Sequence, residues 1–375
     1  MSDLVVVAMS GGVDSSVAAV LLKEQGYRVV GVTLNLLPRT DLVTADTRQN
    51  ACCSLEAVED ARRVADRIGI PHYTLNFREI FEQAVVSDFL QEYLRGRTPN
   101  PCIRCNKHVK FGALLSVARS LGARFLATGH YARISQAPSG RYVLSRAVDR
   151  SKDQSYALYS LTQEQLAHTL FPLGGLEKSD TRRIALEIGL VTAGKPDSQE
   201  ICFVPDGDYA GFIRDRDSRA VHPGPILDED GRRIGTHPGV AFFTVGQRKG
   251  LGVATGRPMY VLRIEAERNA IVVGEREGLY SGGLLAEDVT WVSMEATSEP
   301  FRVAVQVRYR APEVPATARL MDGGLLSVSF DEPQRAVSPG QAVVLYKGDD
   351  VVAGGTIVES YRERVDGRAA LAVSR

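Results

Sequence analysis

Apolar and polar positions alternate in two regimes along this chain. In the first third, short continuous apolar runs are separated by segments of helical period. Residues 4–9, LVVVAM, are apolar throughout, as in a strand buried on both faces. The spacing predicts a helix over about 13–25, stopped by Gly26, then a strand in YRVVGVTL (27–34) and a polar stretch over 35–51. Leu55, Val58, Val64, Ala65 and Ile68 recur at helical spacing behind Ser54 as N-cap, with Gly69 as the stop. A strand in IPHYTLN, helices over about 78–94 and 106–120, and a strand in RFLATGH complete the set. Repeated strand–helix–strand units predict a doubly wound parallel sheet.

After Gly129 the period loosens. ARISQAPSGRYVLSRAV predicts a hairpin turning at Ser139-Gly140, and helical segments follow over about 162–170 and 179–189. Beyond residue 205 the chain is rich in Gly and Pro with short strand-like pieces, and from about 285 it reads as strand only. In RVAVQVR, Val303, Val305 and Val307 alternate with the polar face Arg302, Gln306 and Arg308. The expected organisation is a sheet domain over 1–205, a small β-rich domain over 206–277 and a β-barrel over 278–375.

Composition narrows the class. A chain of 375 residues is long for one core. The 45 basic and 45 acidic residues cancel, so net charge does not call for a nucleic-acid partner, although a local basic face remains open. No apolar run reaches membrane-span length, and the N-terminus lacks the basic region of a signal peptide. Five cysteines, an odd number in a long chain, do not make a secreted disulfide framework, which leads us to expect a cytoplasmic protein. Only eight of the basic residues are lysine, and Lys107, Lys110, Lys152 and Lys249 all fall within the motifs below.

The chemistry begins at Ser10-Gly11-Gly12-Val13-Asp14-Ser15-Ser16, between the first strand and the first helix. Two glycines let a ligand approach the backbone, Ser15 and Ser16 offer hydroxyls, and a helix N-terminus supplies N–H groups and a positive dipole end. This is a phosphate site, but neither G-x-G-x-x-G nor Gly-Lys-Ser/Thr is present. The loop resembles the SGGxDS pyrophosphate loop of the ATP pyrophosphatases, which adenylate a substrate oxygen with ATP and Mg²⁺. That resemblance implies that Asp14 orders the loop or reaches the metal.

GRTPNPCIRCNKHVKFG, ATGHYAR, SKDQSYALY, DSQEICF and TVGQRKGLG, in this order, together with VRYR and SPGQAV, resemble the bacterial tRNA-specific 2-thiouridylase family from end to end. The resemblance implies ATP-dependent 2-thiolation of the wobble uridine, position 34, of tRNA Lys, Glu and Gln. The sulfur would come from a cysteine desulfurase, a sulfur-relay protein or free sulfide. It further implies an ATP site lined by Ala8, Met9, Ser10, Gly11, Gly12, Val13, Asp14, Ser15, Leu34 and Gly129. Asn100, Pro101 and Cys102 would flank the target base. His130, Lys152, Asp153, Gln154, Arg308, Tyr309 and Gln341 would contact tRNA. Cys105 would be the thiol nucleophile, and Cys202 would carry persulfide sulfur. Two rival readings of the chain are another adenylating synthetase acting on a small metabolite and a non-catalytic tRNA-binding sulfur carrier, and the intact SGGVDSS loop speaks against the second.

Local sequence agrees with part of this. Cys105 is expected near a helix start beside Arg104, Lys107 and His108, which favour a thiolate. Cys202 has apolar neighbours and by itself reads as core. Lys152-Asp153-Gln154 reads equally as a solvated turn, Arg308-Tyr309 as an exposed strand face, and His130 as a cap or core histidine. Cys52-Cys53 read as structural. One position departs from the best-known family pattern, in which aspartate follows Asn-Pro. Here Cys102 stands there. Two routes follow: a persulfide on Cys202 resolved by Cys105 through a transient disulfide, or a 4Fe–4S cluster on Cys102, Cys105 and Cys202 with one iron open to sulfide. A structural zinc is weaker, because Cys-x-x-Cys lacks a matching second pair.

Overall fold

The computed structural model describes residues 2–37, 55–196, 201–204, 207–253 and 256–362. Ser54, Cys52, Cys53 and the DSQE preceding Ile201 lie outside the described residues. The chain packs into two compact units, one of residues 1–86, 101–207 and 349–351, the other of 87–100, 208–348 and 352–375.

The first unit is built on a five-stranded sheet. Its strands are β1 (Leu4–Ala8), β2 (Arg28–Asn35), β3 (His72–Asn76), β4 (Phe125–Thr128) and, after the hairpin β5 (Ala132–Gln136) and β6 (Tyr142–Arg146), β7 (Thr169–Leu170). The order is β3-β2-β1-β4-β7 and every pairing is parallel. Val5, Val6 and Val7 are all buried, which is why the first strand is an unbroken apolar run. The chain winds outward from β1 through β2 to β3, then returns to the other side of β1 for β4. Ligands in open parallel sheets bind at such a reversal, at the carboxyl ends of the strands.

Helices α1 (Val13–Glu24) and α2 (Leu55–Ile68) form where predicted, and Val17, Val20, Ala61, Val64 and Ala65 enter one core with β1, whereas Leu55, expected on the apolar face, is 69% exposed at the start of α2. The hairpin turns as predicted, Gly140 taking φ +85°. The helix expected over 78–94 is α-helical at Arg78–Phe81 and Ser87–Leu94, with a π-helical segment at Glu82–Val86 between them.

The second unit holds two β modules. β8 (Gly224–Leu227), β9 (Arg233–His237), β10 (Tyr260–Glu265) and β11 (Ala270–Gly274) form a four-stranded sheet, ordered β10-β11-β8-β9. β12 (Tyr280–Trp291), β13 (Phe301–Gln306), β14 (Val314–Leu320), β15 (Leu326–Arg335), β16 (Ala342–Lys347) and β17 (Asp350–Tyr361) pair in the order β12-β15-β14-β13-β16-β17. β17 pairs back with β12, so the sheet closes into a six-stranded barrel without an edge. Val303 and Val305 point into its core as the alternation predicts. Gln306, expected on the polar face, is instead buried at the end of β13. Among the described residues no helix is long and apolar enough to cross a membrane.

Candidate active site

The loop after β1 sits at the sheet's reversal point. Gly11 takes φ +69°, and a Cβ there would lie 2.1 Å from the Ala57 carbonyl oxygen, so glycine is required twice over. Gly12 is the N-cap of α1 and no side chain caps it, which leaves first-turn N–H groups for an anion. Gly129, just after β4, lies against the same turn: a Cβ on it would come within 2.6 Å of the Ser15 nitrogen. The two strand ends that flank the reversal therefore meet through a residue without a side chain. Ala8, Met9 and Val13 lead into and out of this turn, and Leu34 lies near the end of β2.

The serines act differently from the expectation that their hydroxyls serve a ligand. The Ser10 amide donates to Ser15 Oγ at 3.1 Å, and the Ser15 and Ser16 hydroxyls donate to the Gly12 carbonyl at 3.2 and 2.8 Å. Ser16 is fully buried and its oxygen also accepts from Thr192 Oγ1. Both hydroxyls hold the shape of the cradle.

Asp14 has partners that the sequence did not single out. Lys178 Nζ donates to both carboxylate oxygens, at 2.7 and 2.8 Å, and the Tyr131 hydroxyl donates to Oδ1 at 2.9 Å. The Lys178 side chain is only 10% exposed, against 32% for Asp14. Lys178 opens the helix Lys178–Glu187, where a cation opposes the helix dipole, and it is one of the few lysines in an arginine-rich chain. Those two features were the available signal.

Pro101 begins a helical turn, Pro101–Arg104, that passes into a ten-residue π-helical segment, Cys105–Leu114. Wide turns of this kind cluster at functional sites. The helix thus starts five residues earlier than expected. Cys102, exposed, occupies its first turn, and Cys105, half-buried, sits at the α-to-π junction rather than at the N-terminus. Asn106 fixes the segment: its Nδ2 donates to the Ala157 carbonyl at 2.9 Å, and its Oδ1 accepts from Lys110 Nζ at 3.0 Å. Cys202 is half-buried beside Phe203, whose ring meets Phe81 edge-on at 5.6 Å.

The described residues contain no group of three or more His, Cys, Asp or Glu able to hold a metal. No step is therefore derived through a 4Fe–4S cluster or a zinc on Cys102, Cys105 and Cys202.

The residues expected to contact tRNA divide by burial. His130 packs between Phe111 and Phe171, with Nδ1 2.7 Å from Thr128 Oγ1, and burial together with Lys110 pushes its pKa well below the usual histidine value. It is a neutral imidazole at pH 7. The Asp153 carboxylate is 7% exposed and accepts from the Arg146 guanidinium, the Ala147 and Ser155 amides and the Ser155 hydroxyl. Gln154 accepts from the Tyr131 amide through Oε1 at 2.9 Å. In KDQ, then, Asp153 and Gln154 brace the loop, while Lys152 stays half-exposed.

In the second unit, Arg308 and Tyr309 lie in the turn after β13, not on a strand face. Tyr309 is 41% exposed, with the guanidinium of Arg310 (φ +60°) 5.3 Å over its ring. Gln341 is half-buried and ties into the segment that leads to Asn100. Its Nε2 donates to the Thr98 carbonyl at 3.1 Å, and the Thr98 amide donates to the Pro339 carbonyl at 2.8 Å. Gly340, at φ +88°, brings the loop so close that a Cβ would lie 2.7 Å from the Thr98 nitrogen. The SPGQ loop thereby clasps the RTPN segment, and Arg97 adds ion pairs to Glu92 and Glu287. Asn100 follows two residues after the clasp.

Comparison with known proteins bears on all of this. The family described as "tRNA methyl transferase HUP domain" matches residues 3–206, "tRNA methyl transferase PRC-barrel domain" matches 212–275, and "Aminomethyltransferase beta-barrel domain" matches 281–357. A "tRNA-specific 2-thiouridylase MnmA" of Heliobacterium modesticaldum is 53% identical over 96% of this chain and 94% of its own. The protein of that name from Moorella thermoacetica is 54% identical over 94% of this chain and 98% of its own. Among solved structures, a 4-thiouridine synthetase–RNA complex with bound ATP aligns at TM-score 0.35 and 18% identity, covering 57% of this chain and 50% of that one. With more than half of its residues identical along nearly the full length of both relatives, the chain belongs to the tRNA-specific 2-thiouridylase family.

Proposed function

We propose that this chain is an ATP-dependent tRNA uridine 2-sulfurtransferase acting on the wobble uridine, position 34, of tRNA Lys, Glu and Gln. The observation that carries this reading is the Ser10–Ser16 cradle. A capless helix start, a left-handed Gly11 and a side-chain-free Gly129 leave space and N–H donors for a pyrophosphate at the sheet's reversal. A uridine carbonyl is a weak electrophile whose oxygen leaves poorly. Attack of O2 on the α-phosphorus of ATP expels pyrophosphate into the cradle and makes AMP the leaving group at carbon 2. Magnesium arriving on ATP needs little more from the protein than one carboxylate, since the phosphates supply other ligands. Asp14 is the only carboxylate in the Ser10–Ser16 loop, but Lys178 Nζ takes both of its oxygens, so no residue is assigned to the metal.

Sulfur then comes from a persulfide on Cys202. Its terminal sulfur attacks carbon 2, and AMP departs with the C–O electron pair. The Cys105 thiolate attacks Cys202 Sγ and forms a Cys105–Cys202 disulfide, which releases the thiolated base. A thiol reductant resets the pair. The donor that loads Cys202, a desulfurase or a relay protein, passes on sulfur already at the persulfide level, one atom per turnover. Asn100, Pro101 and Cys102 flank the base.

The test is incubation with ATP, Mg²⁺, a sulfur source and unmodified tRNA, followed by nucleoside analysis and pyrophosphate assay. The expected result is 2-thiouridine at position 34 with one AMP released per base. Release of AMP without tRNA, or no 2-thiouridine with any sulfur source, overturns the reading.

A further inference from the structure

The TVGQRKGLG motif of the second unit has no role in the chemistry above, yet it is built with care. The Thr244 amide donates to Gln247 Oε1 at 3.1 Å, and the Gln247 amide returns a bond to the Thr244 carbonyl at 3.0 Å. Gln247 Nε2 donates to the Lys249 carbonyl at 3.0 Å. Two ladder bonds with Val261 fix the base of the turn, from the Gly246 amide at 2.8 Å and to the Gln247 carbonyl at 2.9 Å. Gly250 and Gly252 take left-handed φ of +77° and +68°, and Leu251 between them is buried. The side chain of Gln247 thus staples a turn whose tip carries only Arg248 and Lys249 as long side chains, both exposed.

Those two cations have no acidic partner among the described residues, whereas many of the surface arginines are ion-paired, including Arg95, Arg257, Arg263, Arg268 and Arg302. In a chain of zero net charge, an unneutralised pair on a rigid turn is a local source of positive potential. Its place is informative too. A Cβ on Gly246 would lie 2.9 Å from the Cβ of Ala336, and Ala336 leads into the SPGQ loop that clasps Thr98. The turn therefore abuts the loop that holds the segment leading to Asn100.

We infer that the Gln247-stapled turn is an RNA phosphate-binding element. Arg248 and Lys249 contact the sugar–phosphate backbone of the bound RNA. Preorganisation by Gln247 matters because a cation held on fixed backbone loses less freedom on binding. The inference rests on the tRNA reading proposed above.

The test uses the full chain and an unmodified tRNA transcript, with binding followed by fluorescence anisotropy over a series of KCl concentrations. The Arg248→Ala/Lys249→Ala variant is expected to bind more weakly. Its slope of log K against log salt should be shallower by about 1.4 to 1.8, the value for two lost phosphate contacts. Arg248→Lys should keep the parental slope. Gln247→Ala, which keeps both charges, should weaken binding without reducing the slope. Should the double alanine variant fail to fold, Arg248→Gln/Lys249→Gln removes the charges and keeps the length. A parental slope in the charge-free variant overturns the inference while leaving the tRNA reading intact. Absence of tRNA binding by the parent chain overturns the tRNA reading itself. Parental tRNA binding with lost sulfur uptake from a donor protein would make the turn a donor-docking surface and overturn the inference as well.

Discussion

Replacing Lys178 by Met tests whether the Lys178–Asp14 pair is a coupled unit or two independent residues. The closest N···O distance is 2.7 Å. At an effective dielectric of about 20, the gross attraction is about 6 kcal/mol. Most of that is offset by desolvation, and unequally, because the Lys178 side chain is 10% exposed and that of Asp14 is 32% exposed. Lys178→Met leaves a carboxylate that water and the Tyr131 hydroxyl still serve, and it should cost about 1–2 kcal/mol. Asp14→Asn strands the more deeply buried cation and should cost about 3 kcal/mol. The double variant leaves no unpaired charge, so it should recover about 1–3 kcal/mol relative to the sum.

The assay is urea unfolding without nucleotide. The only tryptophan, Trp291, lies in the C-terminal barrel and would report that module alone. The transition is therefore read by far-ultraviolet circular dichroism. Additivity of the two single substitutions within about 0.5 kcal/mol refutes the argument, as does a larger loss from Lys178→Met than from Asp14→Asn.

Three further outcomes follow from the geometry. Gly11→Ala should abolish ATP binding, measured by calorimetry, because its Cβ would overlap the Ala57 carbonyl and α2 would have to move; retained affinity contradicts the cradle. Gln341→Ala removes the bond to Thr98, so it should cost about 1 kcal/mol of stability and slow thiolation at saturating tRNA with ATP affinity unchanged; a pure loss of tRNA affinity would mean Gln341 contacts RNA instead. Acid should weaken the fold through three histidines. His72 and His237 are lowered chiefly by burial and His130 well below the usual value, while the unfolded chain titrates near 6.5. Protons then bind the unfolded chain more strongly, so stability is intact above about pH 6.5 and declines as pH falls below it; a melting temperature flat from about pH 7.5 to 5.5 contradicts this.

Much of the architecture was open to reading because it rests on local rules. An unbroken apolar run buried on both faces makes β1. Helical spacing makes α1 and α2, and two glycines between strand and helix make an anion cradle. Each needs only neighbours within a few turns. The residues around the site were less readable, because their roles depend on partners far along the chain. Asp153 looked like a solvated turn and is instead a buried hub for the Arg146 guanidinium and the Ser155 hydroxyl. Cys105 was expected at a helix start, but Pro101 begins the helix, so Cys102 takes the first turn.

The sequence by itself determined the alternating strands and helices, the cradle, the closed β module and the motifs that mark the family. Only the tertiary structure decided what those motifs hold. Lys178 reaches Asp14 across 164 residues, and Gln341 reaches Thr98 across 243. The reason is physical: periodicity records which side of an element is buried, but a hydrogen bond between distant loops leaves no period, and its partners are chosen by where the sheet and the barrel bring their ends.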